Sequence, residues 1–169
     1  MALVETLCIG CHAVNRAAVQ KDEWVLIVGA GPVGMATSQF ALADGGKVIA
    51  LDIAQPRLDF LNKEIGVQHT VCITPQMPTE EVIGLITAIT GGDMPTCVFE
   101  VTGNIHSMKN SFNFVSHGGR LVFVGHTKLD VSYNNPLFHS REMTIMGSRN
   151  ARCAITPRPP ATQCVLLLR

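Results

Sequence analysis

A five-residue apolar run, Trp24-Val25-Leu26-Ile27-Val28, leads directly into Gly29-Ala30-Gly31-Pro32-Val33-Gly34, and an apolar-rich stretch over 33–43 follows. No other feature of the sequence narrows the choice of folds as far. The run is short, continuous and β-branched, so it reads as a strand buried on both faces, as in a parallel sheet. GxGxxG spacing between a strand and a helix has a physical reading at each glycine. Gly29 permits the tight turn, Gly31 lets the backbone approach a pyrophosphate with no Cβ in the way, and Gly34 lets the helix pack closely on the strand. The helix N-terminus then offers unpaired N–H groups and a partial positive charge to phosphates. Pro32 at its start sacrifices only an N–H that had no intrahelical partner.

The pattern continues along the chain. Further strands are predicted over 47–51, 68–73, 96–101, 121–124 and 142–147, and helices over 56–64, 79–90 and 105–115. Strand and helix alternate, which implies βαβ units and helices on both faces of the sheet. The expected fold class is α/β, a doubly wound parallel six-stranded sheet of the Rossmann type with strand order 3-2-1-4-5-6. Residues 1–19 read as a lead-in helix whose Leu3, Leu7, Ile9, Val14 and Val19 are spread around it, so it is expected to be covered. Residues 1–150 form the expected domain. The tail over 151–169 is atypical, and Pro157, Pro159 and Pro160 exclude a regular helix there.

Asp52 closes the second strand. A carboxylate there accepts hydrogen bonds from ribose hydroxyls and repels a 2′-phosphate, which argues for NAD(H) over NADP(H). Arg57, five residues on, could serve a 2′-phosphate or cover the adenine face. Other readings of the glycine turn stay open: a connection without a ligand, an S-adenosylmethionine site, or a flavin site.

Composition excludes several classes of function. The chain has 169 residues, enough for one domain, with 47% apolar and 15% charged residues, so disorder is not its main state. Thirteen basic residues balance thirteen acidic ones, which leaves no electrostatic reason to expect nucleic acid or an anionic membrane as partner. No apolar run approaches the roughly 20 residues needed to span a bilayer. No signal peptide is visible at Met1, so a cytoplasmic location is expected.

Six cysteines (Cys8, Cys11, Cys72, Cys97, Cys153 and Cys164) then sit in a reducing compartment, where structural disulfides are rare. Cys72 and Cys97 lie in apolar runs and read as small core residues. Cys8-Ile9-Gly10-Cys11-His12 has the spacing of a c-type haem attachment. It falls on the lead-in helix of a chain with no export signal. As a zinc site, Cys8, Cys11 and His12 would need a fourth ligand. The plain reading is two small helix residues and a partly exposed histidine. His126 follows the fifth strand, at the sheet edge where ligands bind in such folds, yet a solvent-facing loop histidine is the stronger reading.

With these residues in view, the chain over roughly 2–150 resembles the cofactor domain of the zinc-type medium-chain alcohol dehydrogenases, in the sorbitol, threonine and sugar-acid branch. The resemblance is carried by Leu3-Val4-Glu5-Thr6-Leu7 with His12-Ala13-Val14, the glycine turn, Asp52, Arg57, Phe99-Glu100-Val101-Thr102-Gly103-Asn104, Gly118 to Gly125, and Ser148-Arg149-Asn150. It implies a zinc-dependent secondary-alcohol dehydrogenase acting on a polyol or sugar acid, with hydride passing to nicotinamide C4. It implies cofactor contacts at Gly29, Gly31, Pro32, Val33, Gly34, Asp52 and Arg57. Backbone around Val124-Gly125 and Ser148-Arg149-Asn150 would hold the nicotinamide carboxamide, with Thr102 near the ring and ribose. Glu5 would approach the catalytic zinc, Arg149 would pair with Glu5, and the sixth strand would meet its mate in a homo-oligomer. The family's zinc-binding catalytic domain and its metal ligands are missing from this sequence, so the chain is expected to be truncated and inactive by itself. The alternative is a stand-alone NAD(H)-binding module without catalysis.

Overall fold

Residues whose neighbours in sequence alternate between two apolar faces build the centre of this molecule, and a computed structural model describes them over 3–151. The six strands are β1 (Trp24–Val28), β2 (Lys47–Asp52), β3 (His69–Cys72), β4 (Cys97–Glu100), β5 (Arg120–Phe123) and β6 (Thr144–Gly147). All pair in parallel, in the order β3-β2-β1-β4-β5-β6. The expected sheet, direction and order are therefore those observed.

Strand alternation sorts the core into two layers. Val25, Ile27, Val48, Ala50, Cys97, Phe99 and Val122 face one side, where α1 (Leu3–Ala17), α2 (Pro32–Ala43) and α3 (Gln55–Phe60) supply Val14, Phe40 and Leu58. Leu26, Val28, Ile49, Leu51, Val98 and Leu121 face the other, against Val82 and Ile86 of α4 (Thr79–Thr90). α1 is covered along one stripe only, where Ala13, Val14 and Ala17 are buried, while Leu7 and Ile9 are half-buried and Val4 is exposed. It meets α2 at Gly10, where a Cβ would lie 2.7 Å from the Thr37 nitrogen. The glycine inside Cys8-Ile9-Gly10-Cys11-His12 is thus accounted for by the close approach of two helices.

Two predicted helices change character part-way. α3 gives way to a π-helical turn, Leu61–Ile65, which Gly66 ends at φ 87°. The helix expected over 105–115 is α5 (Ile105–Asn110) followed by a 3₁₀ turn, Ser111–Phe114. The tighter turn brings both Phe112 and Phe114 into the core. An unpredicted helix, α6 (Asn135–Ser140), lies between β5 and β6, capped by the Asn134 side chain, which accepts from the Leu137 N–H.

At the amino ends of the strands, Arg120 and Glu23 form a half-buried pair. Both terminal guanidinium nitrogens donate to the Glu23 carboxylate at 2.7 Å. Arg120 Nε also donates to the Ala17 carbonyl at 2.6 Å, and Thr96 Oγ1 to Glu23 at 2.6 Å. Burial works to raise the Glu23 carboxyl, but the hydrogen bonds from Arg120, Thr96 and the Gln20 backbone outweigh it and hold the group below its ordinary value. The pair ties α1, β1, β4 and β5 together. Among the described residues, no helix is long and apolar enough to cross a membrane. The expectations for the tail, including Cys153 and Cys164, lie outside the described residues.

Candidate cofactor site at the carboxyl ends of the strands

The order of the sheet reverses at β1, so the crevice between β1 and β4 is where a ligand is expected in an open α/β sheet. Each glycine of the turn leading there answers to a different constraint. Gly29 stands at φ 111°, a conformation that side chains disfavour, and a Cβ on it would come 2.8 Å from Thr102 Cγ2. A Cβ on Gly34 would sit 1.9 Å from the Gly29 carbonyl oxygen. These two are required by the turn and by the packing of α2 on β1. Gly31 is different. Its φ of −73° suits any residue, and a Cβ there would meet nothing within 4 Å. No side chain caps α2 at Gly31, and no acidic residue occupies its first turn. The half-buried turn thus presents a helix N-terminus over which the chain has left open space.

Asp52 borders that turn. It is 8% exposed. Its Oδ2 accepts from the Ala30 N–H at 2.5 Å and its Oδ1 from the Ala54 N–H at 2.8 Å. An ionised carboxylate offers about four acceptor positions, so two remain for hydroxyl donors. Arg57 reaches to 3.9 Å from Asp52 Oδ2 with its side chain 56% exposed.

On the other side of β1 the structure reveals a residue to which sequence reasoning gave no role. Glu100 ends β4 and is fully buried, and among the described residues no cation pairs with it. Its carboxylate accepts from the Thr102 N–H at 3.1 Å, the Thr102 hydroxyl, the Gly103 N–H at 3.3 Å and the Ser107 hydroxyl at 2.9 Å. Its backbone carbonyl accepts from both Val124 and Gly125 N–H groups at 2.9 Å. The two crest loops are in direct contact: a Cβ on Gly125 would lie 2.3 Å from the Gly103 nitrogen. The signal available in the sequence was a single acidic residue closing an apolar strand just before a Thr-Gly-Asn turn.

Thr102 is exposed, and Val124 and Gly125 are half-buried at the same level. Ser148 follows β6 and its N–H donates to the Phe123 carbonyl at 2.8 Å, which brings it beside Val124. Arg149 and Asn150 are exposed, and Asn150 holds a left-handed backbone at φ 57°. The structure does not bring all the expected partners together. Among the described residues no ion pair joins Glu5 to Arg149. Nor do any three His, Cys, Asp or Glu side chains group to hold a metal ion, so Cys8, Cys11 and His12 form no such site. His126 is exposed, and its contribution is a carbonyl oxygen packed against Gly103.

Comparison with known proteins agrees with this geometry. The zinc-binding dehydrogenase family matches residues 32–163. L-galactonate-5-dehydrogenase of Escherichia coli is 39% identical over 150 residues, covering 89% of this chain and 43% of that protein. Sorbitol dehydrogenase of Mus musculus is 35% identical over 149 residues, covering 86% of this chain and 40% of that protein. The crystal structure of an Escherichia coli oxidoreductase/dehydrogenase of unknown specificity superposes with a TM-score of 0.79 at 25% identity, over 88% of this chain and 42% of that one. The chain therefore spans about two-fifths of the length of these relatives.

Proposed function

Because the chain belongs to the zinc-binding dehydrogenase family, we propose that its crest binds the dinucleotide NAD(H). The pyrophosphate lies on the turn from Gly29 to Gly34 and the N-terminus of α2, touching Gly31, Pro32 and Val33. The adenosine ribose lies on Asp52, with Arg57 at its edge. The nicotinamide half lies over Thr102, Val124, Gly125, Ser148 and Asn150.

One observation carries this reading. Gly31 is a glycine for which the protein itself gives no reason, since neither its backbone angle nor its neighbours forbid a side chain. A ligand that approaches the backbone there supplies the reason. Asp52, with its two unfilled acceptor positions, favours ribose hydroxyls and disfavours a 2′-phosphate, hence NAD(H) over NADP(H).

The names of the relatives extend the reading to the whole protein. It is a secondary-alcohol dehydrogenase acting on a polyol or sugar acid, and this chain supplies the cofactor-binding half. Bound NAD would supply the hydride acceptor, while these residues bind and orient it. Zinc, which the family name implies, finds no matching donor group among the described residues, and no step is derived through it. Glu5 and Arg149, both exposed, are proposed to face the catalytic centre of the whole protein. A homo-oligomer joined through β6 is supported by an open sheet edge on which Thr144, Ile145 and Gly147 are exposed with no charge in the strand. A cytoplasmic location accords with this assignment.

Calorimetric titration of the purified chain with NADH and NADPH is the test. Tight NADH and weak NADPH are expected. If a folded chain binds neither, the reading is withdrawn, whether the chain is viewed as part of a catalyst or as a binding module.

A further inference from the structure

We propose that a hollow at the amino ends of β1, β2 and β3 binds a small organic monocarboxylate with an apolar body. The hollow measures about 360 Å³, near the lower end of the roughly 300–1,000 Å³ typical of small-molecule sites. β1, five residues long, separates it from the crest, a distance of about 13 Å at roughly 3.3 Å per residue. No residue of the hollow belongs to the cofactor site.

Its walls include the first residues of three neighbouring strands, Trp24, Lys47 and His69. Trp24, Leu42 and Val48 supply apolar surface. His69 packs edge-on against Trp24 with ring centroids 5.4 Å apart, and Lys47 Nζ stands 5.6 Å from the centroid of the same ring. The attraction of a cation for the indole face keeps the ammonium beside the apolar wall. The remaining wall is irregular. Leu61–Ile65, the one π-helical segment among the described residues, ends at Gly66, which lines the hollow at φ 87°. A Cβ on Gly66 would meet nothing within 4 Å, and the Asn62 side chain holds the departing chain by donating to the Val67 carbonyl at 2.8 Å. Such π turns concentrate at functional sites.

The lining fixes the sign of the ligand's charge. Lys47 brings an ammonium, His69 and Gln68 bring further N–H donors, and none of the lining residues is acidic. Helix carboxyl ends favour cations, but the carbonyls nearest this hollow are already taken. The Gly45 and Gly46 N–H groups donate to the Leu42 and Ala41 carbonyls at 2.9 Å, and the Val67 N–H to that of Leu61 at 3.0 Å. What the hollow offers is therefore donors beside an indole ring. One lysine balances one negative charge, which suits a carboxylate better than a phosphate monoester carrying nearly two. The apolar wall takes the rest of the molecule.

Trp24 is the sole tryptophan of the chain, so its fluorescence reports on the hollow directly. The full chain is titrated with phenylacetate and with phenylacetamide, which has nearly the same shape and no charge. Phenylacetate is expected to change the emission saturably, and the amide to bind roughly tenfold more weakly. K47M is expected to weaken phenylacetate roughly three- to tenfold, the size of one hydrogen bond, while K47R, which keeps the charge, stays within about twofold of the unsubstituted chain. Melting curves of both variants show that they are folded. An emission that never saturates with phenylacetate overturns the proposal. Equal affinity for the acid and the amide overturns it too, and so does a folded K47M that binds phenylacetate as before.

Discussion

The Asp52 carboxylate accepts a hydrogen bond from the Ala30 N–H at 2.5 Å, which ties the end of β2 to the glycine turn after β1. The residue proposed to hold the ribose thus also shapes the glycine turn. D52N keeps the shape but sets an amide against two N–H donors. It is expected to weaken NADH by about tenfold or more, on the scale of a lost charged hydrogen bond, and to narrow the gap between NADH and NADPH. Titrating both cofactors against D52N checks this; an undiminished NADH preference would remove Asp52 from the discrimination.

The three glycines of the turn can be separated by experiment. G31A adds a methyl group to open space at an ordinary backbone angle, so the free protein should be as stable as before or slightly more so. Its NADH affinity should drop sharply. G34A forces a Cβ to 1.9 Å from the Gly29 carbonyl, and should lower the melting temperature even without ligand. Melting curves with and without NADH distinguish the two.

Glu100 should behave as a structural hydrogen-bond acceptor. E100Q preserves volume but turns one acceptor oxygen into an NH₂ that faces donors. A destabilisation of about 1–3 kcal/mol is expected from the unsatisfied contacts. Urea unfolding measures it, and a change within about 0.5 kcal/mol, the range of neutral surface substitutions, would contradict the role.

The Glu23–Arg120 pair predicts a pH dependence. The folded carboxyl of Glu23 lies below its ordinary value of 4.5, so its contribution is complete above that pH and is lost as pH falls through the lower folded value. Stability should therefore decline with acid below about pH 4.5, and E23Q should make that decline shallower. Acid titration of both proteins followed by circular dichroism shows whether the slopes differ.

The cysteines offer a solution test of burial. Burial pushes the Cys97 thiol up to about 12, with Arg120 working against the shift and Glu23 with it, whereas Cys72, against the expectation of a core residue, is exposed at the end of the edge strand β3. Iodoacetamide at pH 8 should label Cys72 in the native protein and reach Cys97 only after unfolding. Peptide mapping reads the outcome directly.

Much of this arrangement is visible in the chain itself because it is local. Five apolar residues running into Gly29 mark β1, and an acidic residue closing the next apolar run marks Asp52. The features that the sequence did not yield depend on how the chain turns back on itself. Glu100 looks like an unremarkable strand end until Thr102, Gly103 and Ser107 turn back onto it. Gly10 has a purpose only once α2 lies against it. α6 is a different case: Asn134, Asn135 and Pro136 form a helix start that residue types alone can signal.

The Glu23–Arg120 cluster and the crest share no side chain, although they terminate the same strands. The anchor lies at one end of the sheet and the proposed cofactor contacts at the other. Substitutions in the loops after β2 and β6 can accordingly be screened for altered cofactor preference with little danger to the anchor. Such a scaffold has room to evolve, since variation where recognition occurs is decoupled from the contacts that keep the chain folded.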